Sequence, residues 1–282
     1  MALFRRKKDV AVSSTKKTAK PESTDVAATS GNQTSIPEEK AFDGVAPKNI
    51  GKLDMVIAFD TTGSMASYID AVRQEVSDLI PQLFEDNDDL RLGIVAFGDY
   101  CDMENAQTMG AAYQCIPPTD STNDLIKFVK ESRNTNGGDG DEFYELVIKK
   151  IVEETPWREG STRSVLLIAD AEPHKCGYSY APYVENNQID WREEAMKAAA
   201  KGIKFDTVTI VSLPWFKELS MMTDGVSVPF KTGHKTGNLV RASVWSRGSM
   251  EARMKFDKLE EECNDEEIKD VLFAYKATRN KF

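Results

Sequence analysis

The stretch from Leu53 to Ser64, L-D-M-V-I-A-F-D-T-T-G-S, constrains this chain more than any other, because five consecutive apolar residues run straight into an aspartate and three hydroxyls. An uninterrupted run such as Met55 to Phe59, bounded by polar and glycine-bearing segments, predicts a strand covered on both faces. Gly63 permits a sharp turn after it. From there Met65, Ile69, Val72, Val76, Leu79, Ile80 and Leu83 recur at helical spacing. The stretch therefore reads as strand, turn, helix.

Open α/β sheets gather ligands at the carboxyl ends of their strands, where loops and helix N-termini meet. Asp60, Thr62 and Ser64 sit at such a place. One carboxylate and two hydroxyls at alternate positions offer only oxygen donors, a set suited to Mg²⁺ and equally acceptable to Mn²⁺. The competing reading is structural: Asp60 ends the strand, and Thr62 or Ser64 caps the helix. Two later stretches weigh against it. Asn134 to Glu142, N-T-N-G-G-D-G-D-E, and Val165 to His174, V-L-L-I-A-D-A-E-P-H, each put an acid beside the start or end of an element.

With these three motifs in order, residues 53 to 231 resemble the von Willebrand factor type A family. Its metal-ion-dependent adhesion site has the pattern D-x-S/T-x-S, a later threonine-bearing loop and an aspartate after the fourth strand. Asp60, Thr62 and Ser64 match the first part and Asp170 the last. In the middle loop the chain offers Asp139, with Thr135 four residues upstream as the other candidate. The G-G-D loop and the D-A-E-P-H run resemble the branch found in intracellular proteins, including those linked to alpha-kinases. The resemblance implies Asp60, Thr62, Ser64, Asp139 and Asp170 as metal-site residues, Asp170 acting mainly through water. It also implies a protein partner that presents an Asp or Glu to the open metal position.

The expected fold is α/β: a doubly wound, mostly parallel six-stranded sheet with helices on both faces. Strand and helix patterns alternate from Leu53 onward, which signals such a sheet. Leu90 to Phe97 reads as the second strand, and Asp99 leaves it at the same edge as Asp60. There Asp99 is either an outer acid of the site or a loop residue without a role. Ala111 to Ile116 reads as the third strand, antiparallel at the edge by resemblance and stopped by Pro117 and Pro118. Ser121 with Asp124 resembles a capping box opening a helix. Asp141 and Glu142 are expected in the first turn of the next helix, where its dipole favours acids, and not among the metal ligands. Ser164 to Ala169 is the fourth strand, ending at Asp170, and Ile203 to Leu213 the fifth. A short strand over Val226 to Phe230 is the sixth.

Residues 1–50 are rich in Ser, Thr, Lys, Ala and Pro, a composition expected to stay disordered. Residues 51–231 form the predicted domain, and 232–282 a helical extension, reached through a linker holding His234. The first twenty residues carry seven Lys or Arg and one Asp; the remainder holds 29 basic against 45 acidic residues. A body so acidic speaks against specific nucleic-acid binding, which draws on Lys and Arg at phosphates. The four cysteines lack paired short spacing and read as reduced thiols. No signal-peptide pattern and no run of eighteen apolar residues is present, so a cytoplasmic location is expected.

Other chemistries compete for the same residues. A metal-assisted hydrolase would use the same oxygen cage, with Asp139 or Glu172 as base. A serine hydrolase would pair Ser64 with His174, but the chain has no G-x-S-x-G elbow. Zinc at His174 and Cys176 lacks a second spaced pair. The loop from Cys176 to Asn187 carries Tyr178, Tyr180 and Tyr183 beside the expected site. Loop tyrosines bring large contact area at low entropy cost, so these three are candidates for reading a partner, or for packing on their own domain.

Overall fold

A computed structural model describes residues 51–105, 107–230, 236–263 and 266–279. The tail at residues 1–50, and the linker residues 231–235 with His234, lie outside them. In chain order the elements are β1 (Leu53–Asp60), α1 (Ile69–Glu85), β2 (Leu90–Phe97), β3 (Tyr113–Thr119), α2 (Thr122–Glu131), β4 (Asp141–Glu142), α3 (Tyr144–Glu154), β5 (Thr162–Ala169), β6 (Glu172–Pro173), α4 (Trp191–Ala200), β7 (Ile203–Thr209), α5 (Pro214–Met222), β8 (Ser227–Pro229), α6 (Thr236–Arg247), α7 (Met250–Glu262) and α8 (Glu266–Arg279).

Six strands form one sheet in the order β3-β2-β1-β5-β7-β8. Every neighbouring pair is parallel except β2 with β3. The doubly wound α/β plan is thus the observed fold. β1 lies in the middle and is buried along its whole length. Its alternate residues feed two separate cores: Leu53, Met55, Ile57 and Phe59 pack with α1, α2 and α6 to α8. Val56 and Ala58 pack with α3, α4 and α5 on the other face. Burial on both faces is why the strand shows no polar alternation. The C-terminal helices share the first core through Leu239, Val240, Val244, Phe256 and Leu272.

Three local expectations need correction. β3 runs to Thr119 through both prolines. An edge strand tolerates missing N–H donors on its open side, and the register with β2 shifts between Leu92 and Ile94. Gly93 sits there because a Cβ would lie 3.0 Å from Pro118. The fifth strand of the sheet in chain order, β7, ends at Thr209 rather than Leu213, and Pro214 opens α5. Finally, Asp141 and Glu142 are not helical. They form β4, paired in parallel with β6, and this pairing carries Glu142 inward.

Candidate metal centre

β1, β2 and β5 all end at one edge of the sheet, where backbone bonds lace the loops after β1 and β2 to the loop after α2. The Thr61 amide donates to the Phe97 carbonyl at 2.8 Å, the Thr135 amide to Thr61 at 3.0 Å, and the Gly63 amide to Asn136 at 3.2 Å. Thr135 Oγ1 is spent on Thr61 Oγ1, at 3.0 Å. Asp102 is buried and ties the same loops from below, accepting from the amides of Asp99, Asn136 and Gly137. These bonds fix the loops that carry the acids and hydroxyls of the edge.

Asp60 is fully buried. One of its oxygens accepts from both the amide and the hydroxyl of Thr62, each at 2.7 Å. The other accepts from Tyr144 Oη at 2.5 Å. Thr62 Oγ1 is 3.2 Å from Ser64 Oγ, and Ser64 lies near enough to Asp170 to pull its carboxyl down against the effect of burial. Tyr144 also receives the amides of Asp170 and Ala171, at 3.4 and 3.3 Å. Asp60, Thr62, Ser64 and Asp170 are therefore brought together, and Tyr144 holds the two carboxylates in register.

Glu142 joins this group. Its Oε1 occupies the space a Cβ on Gly137 would need, at 2.8 Å, and Gly137 has a φ of +73°, so both space and backbone require glycine there. Burial pushes Glu142 well above the usual carboxylate range, and the charges of Asp60 and Asp99 add to that. Asp60 is also raised by burial, with Asp170 contributing, against the lowering pull of Tyr144 and Thr62. Asp170 is raised by burial. Asp170 Oδ1 and Glu142 Oε2 are buried without a hydrogen-bond donor. Among the described residues no Lys or Arg pairs with any of the three. Buried carboxylates without counter-charge favour the uptake of protons or of a cation. The donors are all oxygen, which fits a hard divalent ion such as Mg²⁺.

Asp139 stands apart from that group. It is exposed, and its carboxylate accepts from the Asp141 amide at 3.1 Å and Tyr178 Oη at 2.9 Å; none of its hydrogen bonds goes to Asp60, Thr62 or Ser64. It lies instead with Asp99 and His174. Asp99 Oδ1 meets His174 Nε2 at 2.7 Å, and both side chains are fully buried. Burial alone would lower the His174 imidazole, but the bond to Asp99 and the charges of Asp99, Glu145 and Asp139 raise it overall. Tyr178 stacks on His174 with centroids 3.7 Å apart. Tyr180 and Tyr183 continue the stack outward, at 6.4 and 5.4 Å. Tyr100 and Asn187 both donate to Glu145, whose carboxyl burial pushes up to about 7.

Two residues here, Glu142 and Tyr144, have no site role in the sequence reading, and Asp99 has one there only as one of two alternatives. The sequence pattern predicts Glu142 on a helix. Tyr144 carried a signal, since a buried tyrosine needs a partner for its hydroxyl. The link of Asp99 to His174 spans 75 residues, beyond the reach of local pattern.

A von Willebrand factor type A domain model matches residues 54–232. Among curated proteins, the alpha-protein kinase vwkA of Dictyostelium discoideum is 30% identical over 128 residues, 45% of this chain and 19% of that protein. The putative ariadne-like RING finger protein R811 of Acanthamoeba polyphaga mimivirus is 24% identical over 126 residues, 45% of this chain and 12% of that protein. The match thus spans less than a fifth of either relative. Among solved structures, the conserved hypothetical protein BatB from Bacteroides thetaiotaomicron has 15% identity and a TM-score of 0.45, covering 67% of this chain and 95% of that one. The SpRpn10 VWA domain has 14% identity and a TM-score of 0.45, covering 67% and 94%.

Proposed function

The chain belongs to the von Willebrand factor type A domain family, and from that premise we propose that it is a cation-dependent protein-binding module whose metal-ion-dependent adhesion site lies at the carboxyl edge of β1. In this reading Asp60, Thr62, Ser64 and Asp170 hold Mg²⁺ or Mn²⁺, directly or through water. Glu142 takes the place in the set that the resemblance implies for Asp139. The bound ion supplies positive charge and an open position for a partner's Asp or Glu.

The chain's own residues do the rest. Tyr144 and the Thr62 amide orient Asp60 so that its lone pairs are fixed before binding. Asp102 pins the loop that carries Gly137, and with it the wall against Glu142. The observation that carries the proposal is the buried, unpartnered oxygen on each of Asp170 and Glu142, beside an Asp60 that no basic residue among those described neutralises. We read the module as a cytoplasmic binder of the intracellular branch and not as an enzyme. No helix among the described residues is long and apolar enough to cross a membrane.

The test is a pulldown from native lysate with the full chain, in Mg²⁺ and in EDTA, with Asp60→Ala beside the wild type. Partners retained only with Mg²⁺ and an intact Asp60 are the expected result. Partners indifferent to both conditions contradict the proposal. Metal-stimulated turnover of phosphoester or peptide substrates would return the hydrolase reading in its place.

A further inference from the structure

We propose, building on the reading of the metal edge as a partner-binding site, that the tyrosine loop beside it reads an arginine of the same partner. The ring of Tyr180, braced by Tyr178, takes the face of the guanidinium, and the Asp139 carboxylate takes its N–H groups.

The loop is a rigid mount. The Asn187 amide donates to the Tyr178 carbonyl and the Tyr180 amide to the Val184 carbonyl, each at 2.7 Å, and Tyr180 and Val184 form an antiparallel bridge. The base is tied down by the buried Asn187 side chain, which donates to Glu145 on α3 at 2.9 Å. Tyr178 stacks on the buried His174 ring at 3.7 Å, and His174 is held in turn by Asp99. Tyr180 lies within 9° of parallel to Tyr178 and within 14° of Tyr183. The rings are thus oriented before a partner arrives, which lowers the cost of ordering them on contact.

The three rings do not serve the fold equally. Tyr178 and Tyr183 pack against the core that holds α3, α4 and α5, whereas Tyr180 belongs to neither core. Among the described residues, the rings that carry a Lys or Arg over them are Tyr113, Trp191 and Tyr275, and none of the three loop tyrosines does. Asp139 is exposed, and among the described residues its carboxylate meets an amide and a hydroxyl, from Asp141 and Tyr178, but no Lys or Arg. A carboxylate oxygen that accepts one bond has room for another. Around it Asp141 and Glu185 outnumber Lys175, and none of these is buried. Fixed aromatic rings beside an unneutralised carboxylate call for a cation that is also flat. Arginine meets both demands, since its plane stacks on aromatic rings and its fork of donors fits a carboxylate; the lysine ammonium is a point charge that does neither as well.

This surface is continuous with the metal edge. A Cβ on Gly137 would lie 2.8 Å from Glu142 Oε1 and 3.5 Å from Thr62 Cβ. Asp139 follows two residues later, a span of no more than about 7 Å, and there it touches Tyr178. One short segment of a partner can therefore reach both places.

The experiment titrates the full chain, isotope-labelled at its eight tyrosines, with N-acetyl-arginine amide in EDTA and follows the ring signals by NMR. The control compound is the citrulline analogue, which has the same shape without the charge. The Tyr178 and Tyr180 rings are expected to shift with arginine and not with citrulline. Tyr180→Phe identifies the Tyr180 signals by their loss and, keeping the ring, should retain the response at Tyr178. Tyr180→Ala and Asp139→Asn should each weaken that response at least about threefold and leave Mg²⁺ binding unchanged. Equal shifts with both compounds, rings that do not respond, or full arginine binding in Tyr180→Ala would overturn the proposal. A second arm, in Mg²⁺, uses glycine–serine peptides carrying one glutamate and one arginine at several spacings, with citrulline replacing arginine in the controls. The best arginine peptide should bind roughly fivefold more tightly than its citrulline control; equal affinity at every spacing would contradict the placing of both groups on one partner. The Mg²⁺ dependence of the citrulline peptides reads the ion site alone, so its failure is told apart from failure at the tyrosines.

Discussion

Asp54 and Asp60 lie at opposite ends of the same strand, both fully buried, and the chain treats them in opposite ways. Asp54 meets two arginines: Arg91 donates at 2.8 and 3.1 Å, and the Arg158 guanidinium and amide donate at 2.6 Å each. Burial would raise its carboxyl, but these bonds win and hold it below the ordinary value. Asp60 meets hydroxyls, an amide and other acids, and burial raises it. The same contrast appears on β7, where Asp206 is gripped by Arg247 and Ser243. A buried acid that serves the fold is given its counter-charge by the protein. One that lacks it, at a strand's carboxyl end, is left to find its counter-charge outside.

The largest break in this comparison should come at the paired end. Arg247→Leu strands the buried Asp206 and is expected to cost about 3–5 kcal/mol of stability, read by urea denaturation. Arg158→Ala removes part of the grip on Asp54 while Arg91 stays, so a loss of about 2 kcal/mol is expected by the same measurement. At the open end the sign should reverse. A carboxyl whose folded-state value is raised contributes stability that is full below its ordinary value of 3.8 and is lost as the pH rises through the raised value. Chelated wild type should therefore weaken between pH 5 and pH 8. Asp60→Asn, which keeps an acceptor for Thr62, should be more stable than wild type at pH 8 in EDTA by on the order of 1 kcal/mol. Loss of stability in that variant would show that Asp60 is paired after all. The smallest effect belongs to the exposed pair of Arg192 and Glu218: Glu218→Ala should change stability by no more than about 1 kcal/mol in a thermal melt and less at high salt.

The contrast also explains what could be read from the sequence. β1 and the spacing of Asp60, Thr62 and Ser64 are local, and an apolar run buried on both faces leaves a plain trace. The fold followed from the alternation of such runs. Glu142 was not legible, because its position depends on β4 pairing with β6 thirty residues away. Helix-dipole reasoning puts it in the first turn of a helix and outside the ligand set, a sound local reason that tertiary pairing overrides. His174 and Asp99 likewise belong to distant segments, and neither spacing nor periodicity connects them. β3 misled in the other direction: two prolines argue against a strand, yet an edge position makes them harmless.

The measurement that tests the central claim most directly is the thermal unfolding of wild type and Asp60→Asn with and without Mg²⁺, at pH 5 and pH 8. An ion present at about a hundred times its dissociation constant stabilises the folded state by about 2.7 kcal/mol. Wild type should gain on this scale at pH 8, and less at pH 5, where protons compete for the same carboxylates; Asp60→Asn should gain little at either. Equal gains in both proteins, or none in wild type at pH 8, would contradict the assignment of the open carboxylates to a cation.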